Sequence, residues 1–238
     1  MTEKPSFPQA GLDFLKSLKR NNNRDWFLKH KPDYEQSVRS PMIQIIEALA
    51  KEFKDFAPEI LAAPKTSLFR IYRDTRFSKD KSPYKTHVAA SFHVAGVDRH
   101  EGAGFYFHIA PGDVFIGGGL YRPPPEALRP VREHIAANHE RLKKIVASRQ
   151  FRALFGELAG DQSARTPRGF APDHPAEQYL RHKDFLASRQ LATADAIGPD
   201  FFKTLVESFR AAHPLIEFLN EPILRRRQEK DRQERFIH

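Results

Sequence analysis

Residues 87–121 read HVAASFHVAGVDRHEGAGFYFHIAPGDVFIGGGLY, and three runs in them alternate apolar with polar or small side chains. The runs 87–97, 104–110 and 114–121 carry the period of two expected of half-buried strands, with Gly, Pro and Asp in the turns between them. Turns this short force antiparallel neighbours, because a parallel crossover needs roughly a dozen residues or more. The alternation sorts the faces. Val88, Ala90, Phe92 and Val94 oppose His87, Ala89, Ser91 and His93, while Phe105, Phe107 and Ile109 oppose Tyr106 and His108. One face is therefore apolar and needs helices to cover it, and the other presents His and Tyr.

Upstream, residues 68–73 read as a further strand in which Phe69 and Ile71 oppose Arg70 and Tyr72, and a charged loop follows. Residues 183–191 read as another strand. The flanks carry helical spacing. Leu12, Phe14, Leu15 and Leu18 form one apolar face that stops at Asn21, Asn22 and Asn23, where Asn ends one helix and caps the next. Trp26 and Phe27 anchor a short helix that ends before Pro32. A longer pattern runs from Tyr34 to Phe53, with Pro41 as a kink or restart. Residues 126–138, a piece through Leu142 and Val146, 151–158, 201–209 and 214–224 are the later helices. Pro175 and Glu177 fit the first and third positions of one more. The fold expected is α+β: an antiparallel sheet of about four to five strands in mid-chain, packed on one face by N-terminal and C-terminal helices. Residues 1–224 form a single domain in this reading, with 225–238 as a basic helical or frayed tail.

The chain's formal charge of +9 is unevenly spread. Residues 70–85 hold six basic side chains against two acidic ones, and residues 225–238 hold six against three, so little excess is left elsewhere. Local charge of this kind argues against a protein that coats nucleic acid broadly and for one or two anion sites. No cysteine is present, which excludes thiolate nucleophiles and Cys-based metal centres. The start MTEKPSF lacks an apolar h-region, and no window approaches the roughly 18 apolar residues of a span. A cytoplasmic location with no membrane partner is expected.

The stretch 67–87, SLFRIYRDTRFSKDKSPYKTH, is the first candidate site. Arg70 and Tyr72 share the polar sheet face, and Arg73, Arg76, Lys79, Lys81 and Lys85 follow on a loop able to close over phosphate or carboxylate. The plainer reading is a solvated loop in which Asp74 and Asp80 pair with neighbouring arginines. His87, His93 and His108 share a face by parity, and imidazole suits proton transfer. Parity alone does not bring three rings onto one metal, and no metal is assigned. The loop around Arg168, Asp173 and His174, stiffened by proline, is a third candidate, unless His174 or Asp173 merely caps a helix. Gly117 to Gly119 lie within a strand and read as a bulge or a close backbone approach, not as a phosphate loop. In the tail, Arg225 with Glu229, Arg227 with Asp231 and Lys230 with Glu234 have the spacing of paired charges on a solvated helix, and only Phe236 could stack on a base.

Four motifs, NNNRDWF from Asn21, the stretch 67–87, FIGGGLYRPP from Phe115 and PRGFAPDHP from Pro167, closely resemble those of a bacterial and fungal family of conserved hypothetical proteins, domain of unknown function 2461. The likeness runs from about Phe7 to Leu224. It implies one family domain and marks Arg70, Arg73, Asp74, Arg76, Lys79, Lys85, Arg168 and His174 as motif positions, and it brings no reaction with it. The function expected is binding of a phosphorylated or carboxylated small molecule. Arg70, Tyr72, Arg73, Arg76, Lys79, Lys85, Arg168 and His174 are the ligand contacts, and His87 or His108 is the acid or base. A nucleic-acid module using the loop and tail, and a docking module for an acidic protein partner, are the alternatives. Cofactor, reaction and oligomeric state stay open.

Overall fold

In a computed structural model of the chain, residues 4–237 are described, without the side chains of 231 and 234–237. The charge pairs expected at Asp231 and Glu234, together with Phe236 and His238, lie outside the described residues.

The N-terminal helices are α1 (Gln9–Arg20), α2 (Arg24–Lys29), α3 (Lys31–Tyr34) and α4 (Ser40–Phe56). Leu12, Leu15 and Leu18 are buried along α1, as their spacing demands. Asn21 closes that helix, and the Asn23 side chain accepts the Trp26 N–H at 2.9 Å to start α2. A single π turn, Glu35–Arg39, precedes α4. Pro41 in the first turn of α4 has no N–H for the helical ladder, and the backbone absorbs the loss by widening just before it.

Strand β1 (Ile60–Leu61) and the short helix α5 (Pro64–Ser67) lead to β2 (Val88–Val94), β3 (Gly104–Ala110) and β4 (Asp113–Leu120). Helices α6 (Pro125–Ala137), α7 (His139–Ala147), α8 (Arg149–Phe155) and α9 (Glu177–Leu180) precede β5 (Phe185–Leu191), α10 (Thr193–Ile197) and α11 (Phe201–Ile237). The antiparallel sheet has the order β1-β2-β3-β4-β5, so the α+β expectation holds.

Three local expectations are corrected. Residues 68–73 are not a strand: they make only the isolated bridges Leu68 to Ala90 and Tyr72 to Tyr84. The segment divides its hydrogen bonds between two partners. Phe69 N–H goes to Ala89 O at 3.0 Å, whereas Ile71 O accepts from Lys85 N–H and Arg73 N–H goes to Pro83 O. Neither ladder can then extend, and strict alternation is lost. Phe69 consequently lies 6.2 Å from the Tyr106 ring, not on the apolar face. Pro175 is not the first residue of α9: the His174 ring holds the Ala176 N–H at 3.0 Å, and the helix begins at Glu177. The two terminal helices are one, α11, with Pro214 and Pro222 inside it. An interior proline costs about 3 kcal/mol. Leu215, Ile216, Phe218 and Leu219 are fully buried, and each such side chain recovers roughly 1.5–3 kcal/mol. Among the described residues no helix is long and apolar enough to cross a membrane.

The chain divides into two compact units. The first holds residues up to Phe92, with Tyr106–Ile116 and Gln190–Ser208. Its core runs from α4 through the sheet to α11: Phe53 meets Phe92 edge-on at 5.3 Å, Phe92 stacks on Phe107 at 6.3 Å, and Phe107 meets Phe201 at 6.3 Å. The second holds His93–Phe105, Gly117–Arg189 and the chain from Phe209. There Phe105 stacks on Phe209 at 4.7 Å, and Val131, Ile135, Leu142 and Phe151 are fully buried.

Candidate functional site

In the first unit two of the six cations of the basic stretch, Arg73 and Arg76, pair with its two acids. Asp74 accepts the Arg76 guanidinium at 2.7 and 3.0 Å, and those hydrogen bonds hold its carboxyl down to about 2. Asp80 accepts from Ser82 N–H at 2.9 Å, Ser82 Oγ–H at 2.6 Å and the Arg73 guanidinium, which together hold it far below the usual carboxylate range. Lys81 donates to Thr75 O at 3.0 Å. Lys85 donates to Arg70 O at 2.9 Å and lies 5.2 Å over the Phe69 ring. Arg70 and Lys79 side chains make no hydrogen bond or ion pair among the described residues. Tyr72 packs on Tyr84 and Phe27 instead of joining a polar site. The Asn22 side chain grips Tyr84, accepting its N–H at 3.0 Å and donating to its carbonyl at 2.9 Å, which ties the return limb of the loop to the first helices.

The polar sheet face of the same unit does gather ionisable groups. His108 Nε2 lies 3.0 Å from Asp113 and its Nδ1 3.2 Å from the Tyr106 hydroxyl. The His87 ring is 5.6 Å from that of His108. Burial, then the neighbouring His108 and Lys85 charges, push His87 down to about 4. His93 belongs to the second unit, where burial likewise lowers it to about 4. Among the described residues no group of His, Asp and Glu could hold a metal ion.

The second unit contains a cleft of about 810 Å³ walled by Arg122, Arg129, Arg132, Arg168 and Lys183, with Glu133, Asp161 and Asp184 as its acids. Backbone geometry builds it. Gly119 lies so close to β5 that a Cβ there would come 1.9 Å from the Phe185 carbonyl oxygen, which bears out the expected close approach. β4 then ends, and Arg122 adopts φ 47°, the left-handed region that costs an L-residue about 1–2 kcal/mol. Buried Asp184 holds that conformation by accepting the Arg122 N–H. Residues 159–162 run beside the start of β5 through bridges of Ala159 to Leu186 and Gln162 to His182. Lys183 N–H donates to Asp161 O at 2.7 Å in the same pairing, which sets Lys183 on the cleft wall.

Helix α6 supplies the remaining cations. Arg129 pairs with Glu133 at 2.9 Å, one turn apart. Arg132 donates through one terminal nitrogen to His182 O at 2.8 Å, while its buried Nε has no partner among the described residues. Arg168 and Lys183 side chains make no hydrogen bond or ion pair among the described residues. Of the site residues expected from sequence, Arg168 alone lines this cleft, while His174 serves as a turn cap. Arg122, Arg132 and Lys183 were missed. Arg122 stood within FIGGGLYRPP, a signal that was available; Arg132 and Lys183 sit singly in segments far apart in sequence.

No curated protein and no solved structure matches the chain. A family model described as Conserved hypothetical protein (DUF2461) matches residues 10–218, most of the chain, and the protein belongs to that family.

Proposed function

We propose that the protein binds a phosphorylated or carboxylated small molecule in the cleft between α6 and the start of β5. The observation that carries this reading is Arg132: its Nε is buried without a partner, in a wall where Arg168 and Lys183 are likewise unmatched by carboxylates. Leaving a buried donor unmade costs about 1–3 kcal/mol, and an anion accepting from it recovers that cost. Guanidinium forks suit phosphate and carboxylate oxygens, and about 810 Å³ falls within the range of small-molecule sites. The strained backbone at Arg122 supports the same location, since strain of this kind collects at ligand clamps. Titration calorimetry with pyrophosphate, citrate and a nucleoside monophosphate tests the reading. At least one is expected to bind the wild type and to lose affinity in R132M and R168A. Equal affinity in both variants would sink it.

Nucleic acid is a second reading, favoured by one observation: Phe77 is 93 % exposed, with Arg76 5.7 Å from its ring, an arrangement on which a base can stack. It predicts affinity for single strands that falls steeply with salt and is lost in F77A.

A further inference from the structure

The polar face of the first unit contains an ordered chain of four side chains that anion binding in the cleft does not use. Gln190 Nε2 donates to Asp113 Oδ1 at 3.1 Å, and Asp113 Oδ2 lies 3.0 Å from His108 Nε2. His108 Nδ1 lies 3.2 Å from the Tyr106 hydroxyl. Hydrogen bonds from Gln190 and His108 hold the Asp113 carboxyl below its ordinary range, so it is an anion that can only accept. In the neutral imidazole that places the proton on Nε2 and leaves Nδ1 a lone pair that accepts from the Tyr106 O–H. Every proton position along the chain follows from one charge.

The surroundings keep this order in place. The His108 ring is stacked on Phe115 at 5.6 Å with an 8° tilt, and Tyr106 is flanked by Phe115 at 6.0 Å and Phe69 at 6.2 Å. The ionisable groups facing the chain are His87, whose ring is 5.6 Å from His108, and Lys85, whose charge acts on His87 and whose ammonium lies over Phe69. With His87 neutral near pH 7, the Lys85 ammonium, which also donates to Arg70 O at 2.9 Å, is a cation whose charge reaches His87. A purely structural network needs only that each polar atom find a partner. Here the order carboxylate, imidazole, phenol makes the last oxygen the one whose proton has somewhere to go.

We propose that Tyr106 is an activated nucleophile of the first unit, with His108 as the base that takes its proton and Asp113 as the residue that positions His108. The substrate class is an activated ester or anhydride of an oxyacid, for which Lys85 offers the balancing charge. In the step, the Tyr106 oxygen bonds to the electrophilic phosphorus, sulfur or acyl carbon, and the leaving group departs with the electrons of its bond. The phenol proton passes to His108 Nδ1, and the imidazolium formed is stabilised by Asp113.

An aryl sulfonyl fluoride tests this without knowledge of the natural substrate: the phenol oxygen bonds to sulfur, fluoride leaves with the bonding pair, and the proton goes to His108. Labelling of the full chain is followed by peptide mass spectrometry, with exposed Tyr72 and Tyr121 as internal references. Tyr106 is expected to label at least about tenfold faster than either, and H108Q and D113N to remove that advantage while the two references keep their rates. Labelling of Tyr106 no faster than Tyr121, or an unchanged rate in H108Q and in the near-isosteric D113N with intact circular dichroism, would overturn the proposal.

Discussion

The loop at 73–82 and the cleft beside α6 are both rich in cations, yet their charges behave differently. In the loop, Arg76 finds Asp74 two residues away and Arg73 finds Asp80 seven away, so the pairs close within one segment and stay exposed. In the cleft, Arg122, Arg132, Arg168 and Lys183 arrive from separate segments, and the buried carboxylate among them, Asp184, is occupied by the Arg122 N–H. Charge density along a chain therefore measures opportunity for local pairing as much as for ligand binding. In the cleft, cations from distant segments outnumber the acids Glu133, Asp161 and Asp184 that arrive with them.

The sharpest way to break this comparison is to set R132M against R76A in one calorimetric series. R132M is expected to weaken pyrophosphate or citrate binding by roughly 10- to 100-fold, the worth of a charge-assisted hydrogen bond of about 1.5–3 kcal/mol. R76A is expected to change it less than about twofold, because an exposed pair contributes little beyond its own segment. A reversal of that ranking would return the site to the loop.

Next in size is D184A, which strips the acceptor from the Arg122 N–H and leaves its left-handed backbone unsupported. A loss of about 2–3 kcal/mol is expected, a fall in Tm of roughly 5–10 °C for a chain of this size, read by thermal denaturation. Anion affinity is expected to fall with it. Normal affinity in a destabilised D184A would show that the backbone at Arg122 serves folding alone.

Acid comes third. His87 and His93, one in each unit, are lowered to about 4 against an ordinary value near 6.5. Between those values the unfolded chain binds more protons than the folded one, so stability is complete above about pH 6.5 and declines as the pH falls toward 4. Tm is expected to drop by several degrees, on the order of 5 °C, between pH 7 and pH 5. H87Q is expected to remove part of that drop, and an unchanged slope in H87Q would place the acid sensitivity elsewhere. The smallest effect concerns the loop itself: raising salt to about 1 M is expected to move the Tm of D74N and wild type together within about 1–2 °C, since screening already weakens exposed pairs.

Strand β3 was legible because its burial alternates, and burial of a single face writes itself into the chain as a period of two; β2, buried on both faces except at His93, was legible from the alternation of large apolar with small or polar side chains. The segment 68–73 showed the same pattern and is not a strand. Its hydrogen bonds pass from β2 to the returning limb at 83–85 midway, a choice that depends on Asn22 holding Tyr84 from 62 residues away. Pro214 misled in the opposite direction, since its local chemistry argued for a break between two helices and the burial around it overrode that break.

The amino-acid sequence by itself determined the class of fold, the antiparallel sheet, the helix starts at the asparagines and the family to which the chain belongs, all of which rest on patterns within a few residues of one another. Only the tertiary structure decided where unmatched charge collects and in what order Tyr106, His108 and Asp113 connect. Pairing between distant segments depends on register and backbone direction. These are set by the packing of the whole sheet and leave no signature in the spacing of the residues they bring together.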